Sequence, residues 1–229
     1  KNTDEKETQV LITLQDEAKK KTPKILTPKE TILEQKREVS LKEEKDNNRY
    51  YVYVKGEVVL TTDSVSDAII AANSQMGVVI GENQQYVWKR SRKTAQAAFN
   101  DIVVGEEDSG AGSIAQCVNA ILEKEEINIS VSALISQGET PKQILLNTLK
   151  DATVLDLTGC TVDEILYYVS NGYPVFAMTG SSDAVLVVGY DANNVVLYDP
   201  AMGQTYKRTT ADADEMFFNA GNIFFTYQK

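Results

Sequence analysis

Residues 180–191 read Gly-Ser-Ser-Asp-Ala-Val-Leu-Val-Val-Gly-Tyr-Asp. The apolar run from 184 to 190 lies between polar turn residues, and this pattern predicts a β-strand. A second strand is predicted close behind it, and Asp199-Pro200, a good turn sequence, closes that strand. The strands of this block are predicted at 174–178, 184–190, 195–198, 205–208 and 222–227.

Helices come before these strands along the chain. They are predicted at 113–125, 140–150 and 161–170, and a short helix at 212–219 comes before the last strand. Two of them begin with the spacing of a capping box, Ser113 with Gln116 and Thr161 with Glu164. Helices first and antiparallel strands second are typical of an α+β fold rather than of alternating βαβ units.

A smaller pattern precedes this block and predicts a ββαββ module. Its strands are predicted at 50–54, 57–60, 78–80 and 85–88, with Lys55-Gly56 as a hairpin turn. The helix begins at Asp63 or Ser64 and ends at Gly77. The aromatic side chains are expected in the core, with a ligand-binding face as the alternative. They are Tyr50, Tyr51, Tyr53, Tyr86 and Trp88.

The first 48 residues are rich in Lys and Glu. Of the 23 Lys and Arg and the 33 Asp and Glu in the chain, 11 of each lie here, which leaves 12 basic and 22 acidic residues for the rest. Two Thr-Pro pairs separate short helices predicted at 10–20 and 29–45. We expect a charged helical stalk or spacer over 1–48, a small α+β module over 49–93 and a larger α+β domain over 94–229.

The composition is that of a globular chain, with 42% hydrophobic and 24% charged residues among 229. The formal net charge of −10 argues against nucleic acid or an anionic membrane surface as a partner, because both select for basic patches. The sequence contains no apolar run long enough to span a bilayer. Since the first residue is Lys rather than Met, we expect a trimmed extracytoplasmic chain, secreted or attached to a membrane only through an upstream anchor.

The two cysteines and the absence of histidine limit the catalytic chemistry that the chain can perform. Cys117 and Cys160 allow one disulfide, but both lie in apolar contexts, so two buried free thiols are the alternative. The chain has no histidine. Because histidine is the usual base that activates a hydroxyl or thiol near neutral pH, a conventional Ser/His/Asp or Cys/His site is excluded.

Two segments of the larger domain share features with a known family. The first is residues 112–122, Gly-Ser-Ile-Ala-Gln-Cys-Val-Asn-Ala-Ile-Leu, followed by Ile-Asn-Ile-Ser at 127–130. The second is residues 180–191 with Tyr198-Asp199-Pro200. Together they resemble the opening helix and the strand pair of the bacteriocin-processing (double-glycine leader) peptidases and their papain-like relatives. The resemblance covers residues 101–227 and implies a papain-like (cysteine proteinase) fold with a substrate groove.

This resemblance places three residues at the positions of a catalytic triad. Ser113 stands where the family has its nucleophilic cysteine, Asp183 where it has its histidine, and Asp199 at the residue that orients the histidine. Glu106 and Glu107 stand in the region of the oxyanion-hole glutamine. A hydroxyl needs a base, a carboxylate is a weak base at neutral pH, and a second carboxylate repels an oxyanion, so we expect hydrolysis to be lost.

Several functions fit this pattern. The favoured one is a non-catalytic peptidase-like protein whose former substrate groove binds a peptide, protein or cell-envelope ligand. The alternatives are an active hydrolase that uses Cys117 or Cys160 with a carboxylate base, and a structural spacer whose groove is filled. Asp183 and Asp199 are expected to face each other across neighbouring strands, but two or three oxygens are few for a dedicated cation site, so no metal or cofactor is predicted.

Overall fold

The structure is a computed structural model that describes residues 48–90, 97–98 and 111–229. The helices predicted at 10–20 and 29–45 lie outside the described residues. Asn48–Lys229 forms one compact unit that contains both the small module and the larger α+β part.

The small module folds as the sequence predicts, into four antiparallel strands and one helix. Its elements are β1 (Tyr50–Val54), β2 (Glu57–Thr62), α1 (Val65–Ser74), β3 (Val78–Gly81) and β4 (Tyr86–Lys89), with the sheet order β2-β1-β3-β4. Lys55 and Gly56 form the hairpin turn with positive φ angles of 52° and 89°. The Ser64 hydroxyl accepts the Asp67 N–H at 3.2 Å and caps α1.

The turn after α1 differs from the prediction. The residue in the left-handed conformation is Met76, with a φ of 54°, rather than Gly77. The Gly77 N–H still closes the turn by donating to the Ala72 carbonyl at 2.7 Å. A Cβ atom at Gly77 would lie 2.6 Å from the Tyr53 carbonyl oxygen of β1. The glycine is therefore required by the close approach of a strand, because any side chain there would clash.

The larger part has an antiparallel sheet with five helices around it among the described residues. The helices are α2 (Ser113–Lys124), α3 (Val131–Ser136), α4 (Pro141–Thr148), α5 (Val162–Ser170) and α6 (Thr210–Asn219). The strands are β5 (Ala97–Ala98), β6 (Thr153–Asp156), β7 (Val175–Met178), β8 (Ala184–Tyr190), β9 (Asn194–Asp199), β10 (Gln204–Thr209) and β11 (Phe224–Gln228). The sheet order is β10-β9-β8-β7-β11-β6, and β5 pairs with β8.

The sequence does not predict α3, β5 or β6. The α3 helix has only six residues, too few for a helical period to stand out. The β6 strand, Thr-Val-Leu-Asp, is paired only with β11, where Leu155 lies opposite Thr226. Such a short edge strand is defined by its distant partner rather than by its own pattern, and its sequence suggests only a lead-in to α5.

The large sheet is covered on both faces. Leu186 and Tyr198 pack in one core cluster with residues of α2 and α4. Val187 and Leu197 point to the opposite face, in a cluster with residues of α5, α6 and the small module. Two-sided cover explains the continuous apolar run of β8, whose seven residues are all buried.

One buried glutamate joins the small module to the larger part. Glu164 of α5 is 4% exposed. Its carboxylate accepts the Asn73 amide of α1 at 3.0 Å and the Thr161 N–H at 2.7 Å, the second bond being expected of the predicted capping box. Its carbonyl accepts the Trp88 indole N–H at 2.9 Å. The small module and the larger part therefore share a core cluster. The domain boundaries at 48/49 and 93/94 remain predictions.

The aromatic residues of the small module divide into two groups. Tyr50 and Trp88 lie in the core, as expected. Tyr51 and Tyr53 are half-buried, and Tyr86 is 53% exposed. The core interpretation therefore holds fully for two of the five residues, and the exposed Tyr86 ring carries the Lys89 ammonium 5.5 Å from its centroid.

Candidate functional site

The residues that the sequence singles out lie around the start of α2. Ser113 is the first residue of this helix, and Gly112 is its cap. The Ser113 hydroxyl accepts the backbone N–H of Ala184, the first residue of β8, at 3.0 Å. The capping box predicted from Ser113 and Gln116 is therefore wrong. Because Ser113 lies inside the helix rather than at its cap, its side chain bonds to the sheet and not to the first turn.

Asp183 lies next to Ser113 because it directly precedes Ala184. It closes the turn between β7 and β8, where its carbonyl accepts the Thr179 N–H at 2.8 Å. The Asp183 carboxylate is exposed and accepts no hydrogen bond from any residue that the structure describes. It is thus open to a ligand, but nothing holds it in the orientation that a catalytic base needs.

Asp199 ends β9, at the same end of the sheet as Asp183. Its Oδ1 accepts the N–H groups of Ala201 at 2.9 Å and Met202 at 3.3 Å. Asp199 therefore holds its own turn, in agreement with the turn predicted at Asp199-Pro200. Among the described residues, no hydrogen bond joins the two carboxylates, and no group of three His, Cys, Asp or Glu side chains could hold a metal.

Cys117 lies one helical turn further along α2 and is fully buried. Burial, with a smaller effect from the negative charge of Asp199, raises the pKa of this thiol well above its ordinary value. The thiol packs in the same core cluster as Ile121 and Tyr198. It is a core residue, as the helical spacing of its apolar neighbours predicts.

Cys160 lies in the other core cluster, on the opposite face of the sheet. Both cysteines are free, so the disulfide alternative is wrong. Burial, with smaller contributions from the charges of Glu164 and Asp156, raises the pKa of the Cys160 thiol. Neither thiol is exposed, and the two do not belong to one site.

Two further residues lie at this end of the sheet, and the sequence alone assigned neither of them a role at the site. Tyr198 is 4% exposed, and burial, with the charges of Cys117, Glu123 and Asp199, raises the pKa of its hydroxyl. Met202 is 65% exposed beside the Asp199 turn. The only hint in the sequence was that both residues lie close to the Asp199-Pro200 turn. Glu106 and Glu107, expected near an oxyanion hole, lie outside the described residues.

Chemically, the site offers one hydroxyl and two carboxylates. The hydroxyl already accepts a hydrogen bond from β8, and one carboxylate is engaged in its own turn. The remaining groups, the Asp183 carboxylate and the Met202 side chain, are suited to contact a cationic or apolar group rather than to transfer protons.

Comparisons with known proteins bear on the fold. No protein-family model matches the sequence, and no curated protein is significantly similar to it. A crystal structure described as that of a C39-like peptidase from Bacillus anthracis is similar to the chain with a TM-score of 0.51 and 14% sequence identity. The match covers 59% of this chain and 98% of the peptidase. Identity at this level speaks for the fold alone, and the chain has the α+β fold of a papain-like cysteine peptidase.

Proposed function

We propose that this chain is a non-catalytic peptidase-like protein whose former substrate groove binds a peptide or cell-envelope ligand. One observation carries the proposal. The Ser113 hydroxyl, at the position matched to the nucleophile, accepts a backbone N–H from Ala184, and the 229 residues contain no imidazole to deprotonate it. A serine becomes nucleophilic only when a base takes its proton, and a carboxylate is a weak base for that step.

The environments of the cysteines also support this proposal over an active hydrolase. The nucleophile of a cysteine peptidase is the thiolate. At Cys117, burial raises the pKa of the thiol, which keeps it protonated near neutral pH, and the same holds for Cys160. Neither side chain is accessible to a peptide.

Binding is supported by the groups that remain accessible at this end of the sheet. Asp183 presents an exposed carboxylate that accepts no hydrogen bond within the described part of the chain, and Met202 presents an exposed apolar side chain in the β9–β10 turn. A peptide with basic and apolar side chains is complementary to such a pair. The filled-groove spacer would leave these two side chains without a role.

The location of the protein is part of the proposal. We propose that it acts outside the cytoplasm. In the described part of the chain, none of the helices has the length and apolar character needed to cross a bilayer.

The experiment passes a degenerate heptapeptide library over the immobilised chain and identifies retained peptides by mass spectrometry. We expect enrichment of Lys and Arg, and a loss of about tenfold in retention for Asp183→Lys because the charge at the site is reversed. Asp63→Lys, an exposed aspartate of the small module, is the matched control and should retain the library normally. Equal retention by both variants would refute binding at this site.

The active-hydrolase alternative has its own readout. A thiol-reactive peptide probe is added to the native chain near neutral pH, and labelled residues are mapped by mass spectrometry. Our proposal predicts that Cys117 and Cys160 stay unlabelled until the chain is unfolded. Rapid labelling of one of them in the native chain would favour the alternative.

A further inference from the structure

A cavity lies where residues of the two sheet edges meet, away from the candidate site. Its volume is about 300 Å³, at the lower end of the range of small-ligand sites. Its walls include residues of β4, the edge strand of the small sheet, and of β6, the edge strand of the large sheet. Strands β7 and β11 separate β6 from β8, so this cavity is distinct from the candidate site at Ser113.

Two side chains of opposite charge line this cavity. Arg49 precedes β1 and Glu82 follows β3, and both are exposed. Within the described residues, neither makes a hydrogen bond or an ion pair, with the other or with any third group. Each charge is therefore available to a ligand group of the opposite sign.

The same cavity offers apolar surface. Val87 and Leu155 line it, together with the Tyr86 ring, which is 53% exposed. The Gln228 amide donates to the Tyr86 carbonyl at 3.1 Å and ties β11 to β4. This exposed bond links the small sheet to the large sheet beside the cavity.

We propose that this cavity binds a zwitterionic amino acid or short peptide, with Arg49 on the α-carboxylate and Glu82 on the α-ammonium. A guanidinium matches a carboxylate in bidentate geometry, and a carboxylate accepts the N–H groups of an ammonium. The apolar surface of Tyr86 and Val87 receives an aliphatic side chain. This inference uses a different site from the proposed function and does not depend on it.

The test is calorimetric titration of the chain with alanyl-leucine and with its N-acetylated and C-amidated forms. We expect the unmodified dipeptide to bind at millimolar concentration or below, and each blocked form to bind about tenfold more weakly, because each lacks one charged contact. Arg49→Gln should weaken the unmodified dipeptide about tenfold and leave the amide unchanged. Glu82→Gln should weaken the unmodified dipeptide about tenfold and leave the acetylated form unchanged, because that form has no ammonium group to lose.

Two exposed charges outside the cavity serve as controls. Arg90→Gln and Glu57→Gln alter exposed charges outside the cavity and should bind the dipeptide like the original chain. If free leucine binds as tightly as the dipeptide, amino acids are the ligand class. If free leucine binds more weakly than the dipeptide, peptides are the ligand class. No binding of either at millimolar concentration, or equal weakening of all three dipeptide forms by Arg49→Gln, would overturn the proposal.

Discussion

Ser113 joins two distant parts of the chain, because its hydroxyl accepts the N–H of a residue 71 positions later. Ser113→Ala removes this acceptor and leaves the N–H of the buried Ala184 unpaired. We expect the free energy of unfolding to fall by about 1–2 kcal/mol in urea titrations. Ser136→Ala is the control, since its exposed hydroxyl donates only within its own helix. Equal stability of Ser113→Ala and the original chain would contradict the assigned contact.

The two buried thiols predict a pH dependence of stability. Burial raises the pKa of Cys117 and of Cys160 in the folded chain. In the unfolded chain the thiols ionise at about pH 8.5. The stability gained by keeping the buried thiols protonated is therefore complete below that pH and is lost as the pH rises above it. We expect each thiol to cost about 1 kcal/mol of stability by about pH 9.5, measured by urea unfolding with a reductant. Replacing both cysteines with alanine should flatten this slope, and an unchanged slope would contradict the burial effect.

At the scale of single residues, the sequence predicted positions better than contacts. The helix beginning at Ser113, the turn at Asp199 and the buried setting of Cys117 all follow from local patterns. The partner of the Ser113 hydroxyl does not, because it lies on a strand that only the tertiary fold brings close. The same reason hides the role of Glu164, whose Asn73 contact spans 91 positions.

At the scale of elements, the turn between α1 and β3 makes a test of close packing. Gly77→Ala places a Cβ atom against the Tyr53 carbonyl, so the backbone must shift, and we expect a loss of about 1–3 kcal/mol. Met76→Gly is the matched control one residue earlier. It relieves a left-handed φ at an exposed side chain and should leave stability unchanged or raise it. Unfolding midpoints in urea that fall equally for the two variants would contradict this account.

The long elements with clear patterns were predicted, and the short ones were not. The β8 strand agrees with the prediction at both ends because its apolar run is bounded by polar turns. The α3 helix and the β6 strand carry too few residues to show a period, and each is stabilised by neighbours from elsewhere in the chain. Local pattern therefore defines the centre of this fold, and tertiary pairing defines its edges.

At the scale of the whole molecule, the buried Glu164 predicts cooperative unfolding of the two sheets. Trp88 is the chain's single tryptophan, and it bonds to the Glu164 carbonyl across the junction. Its fluorescence and the far-ultraviolet circular dichroism should therefore report one coincident urea transition. Glu164→Ala should move both urea midpoints down together. The free energy of unfolding should fall by about 2–4 kcal/mol, because Asn73 and Thr161 lose their acceptor. Separate transitions would mean that the small module unfolds by itself.

For the molecule as a whole, a peptidase-like fold over 59% of the chain is compatible with activity or with its loss, so only chemistry at the site separates the two. The direct measurement is mass spectrometry of a defined peptide pool after incubation with the purified chain near neutral pH. We predict no new peptide ends beyond those in buffer alone, and no difference between the original chain, Ser113→Ala and Cys117→Ala. New ends that form with the original chain and disappear in one of these variants would contradict the account.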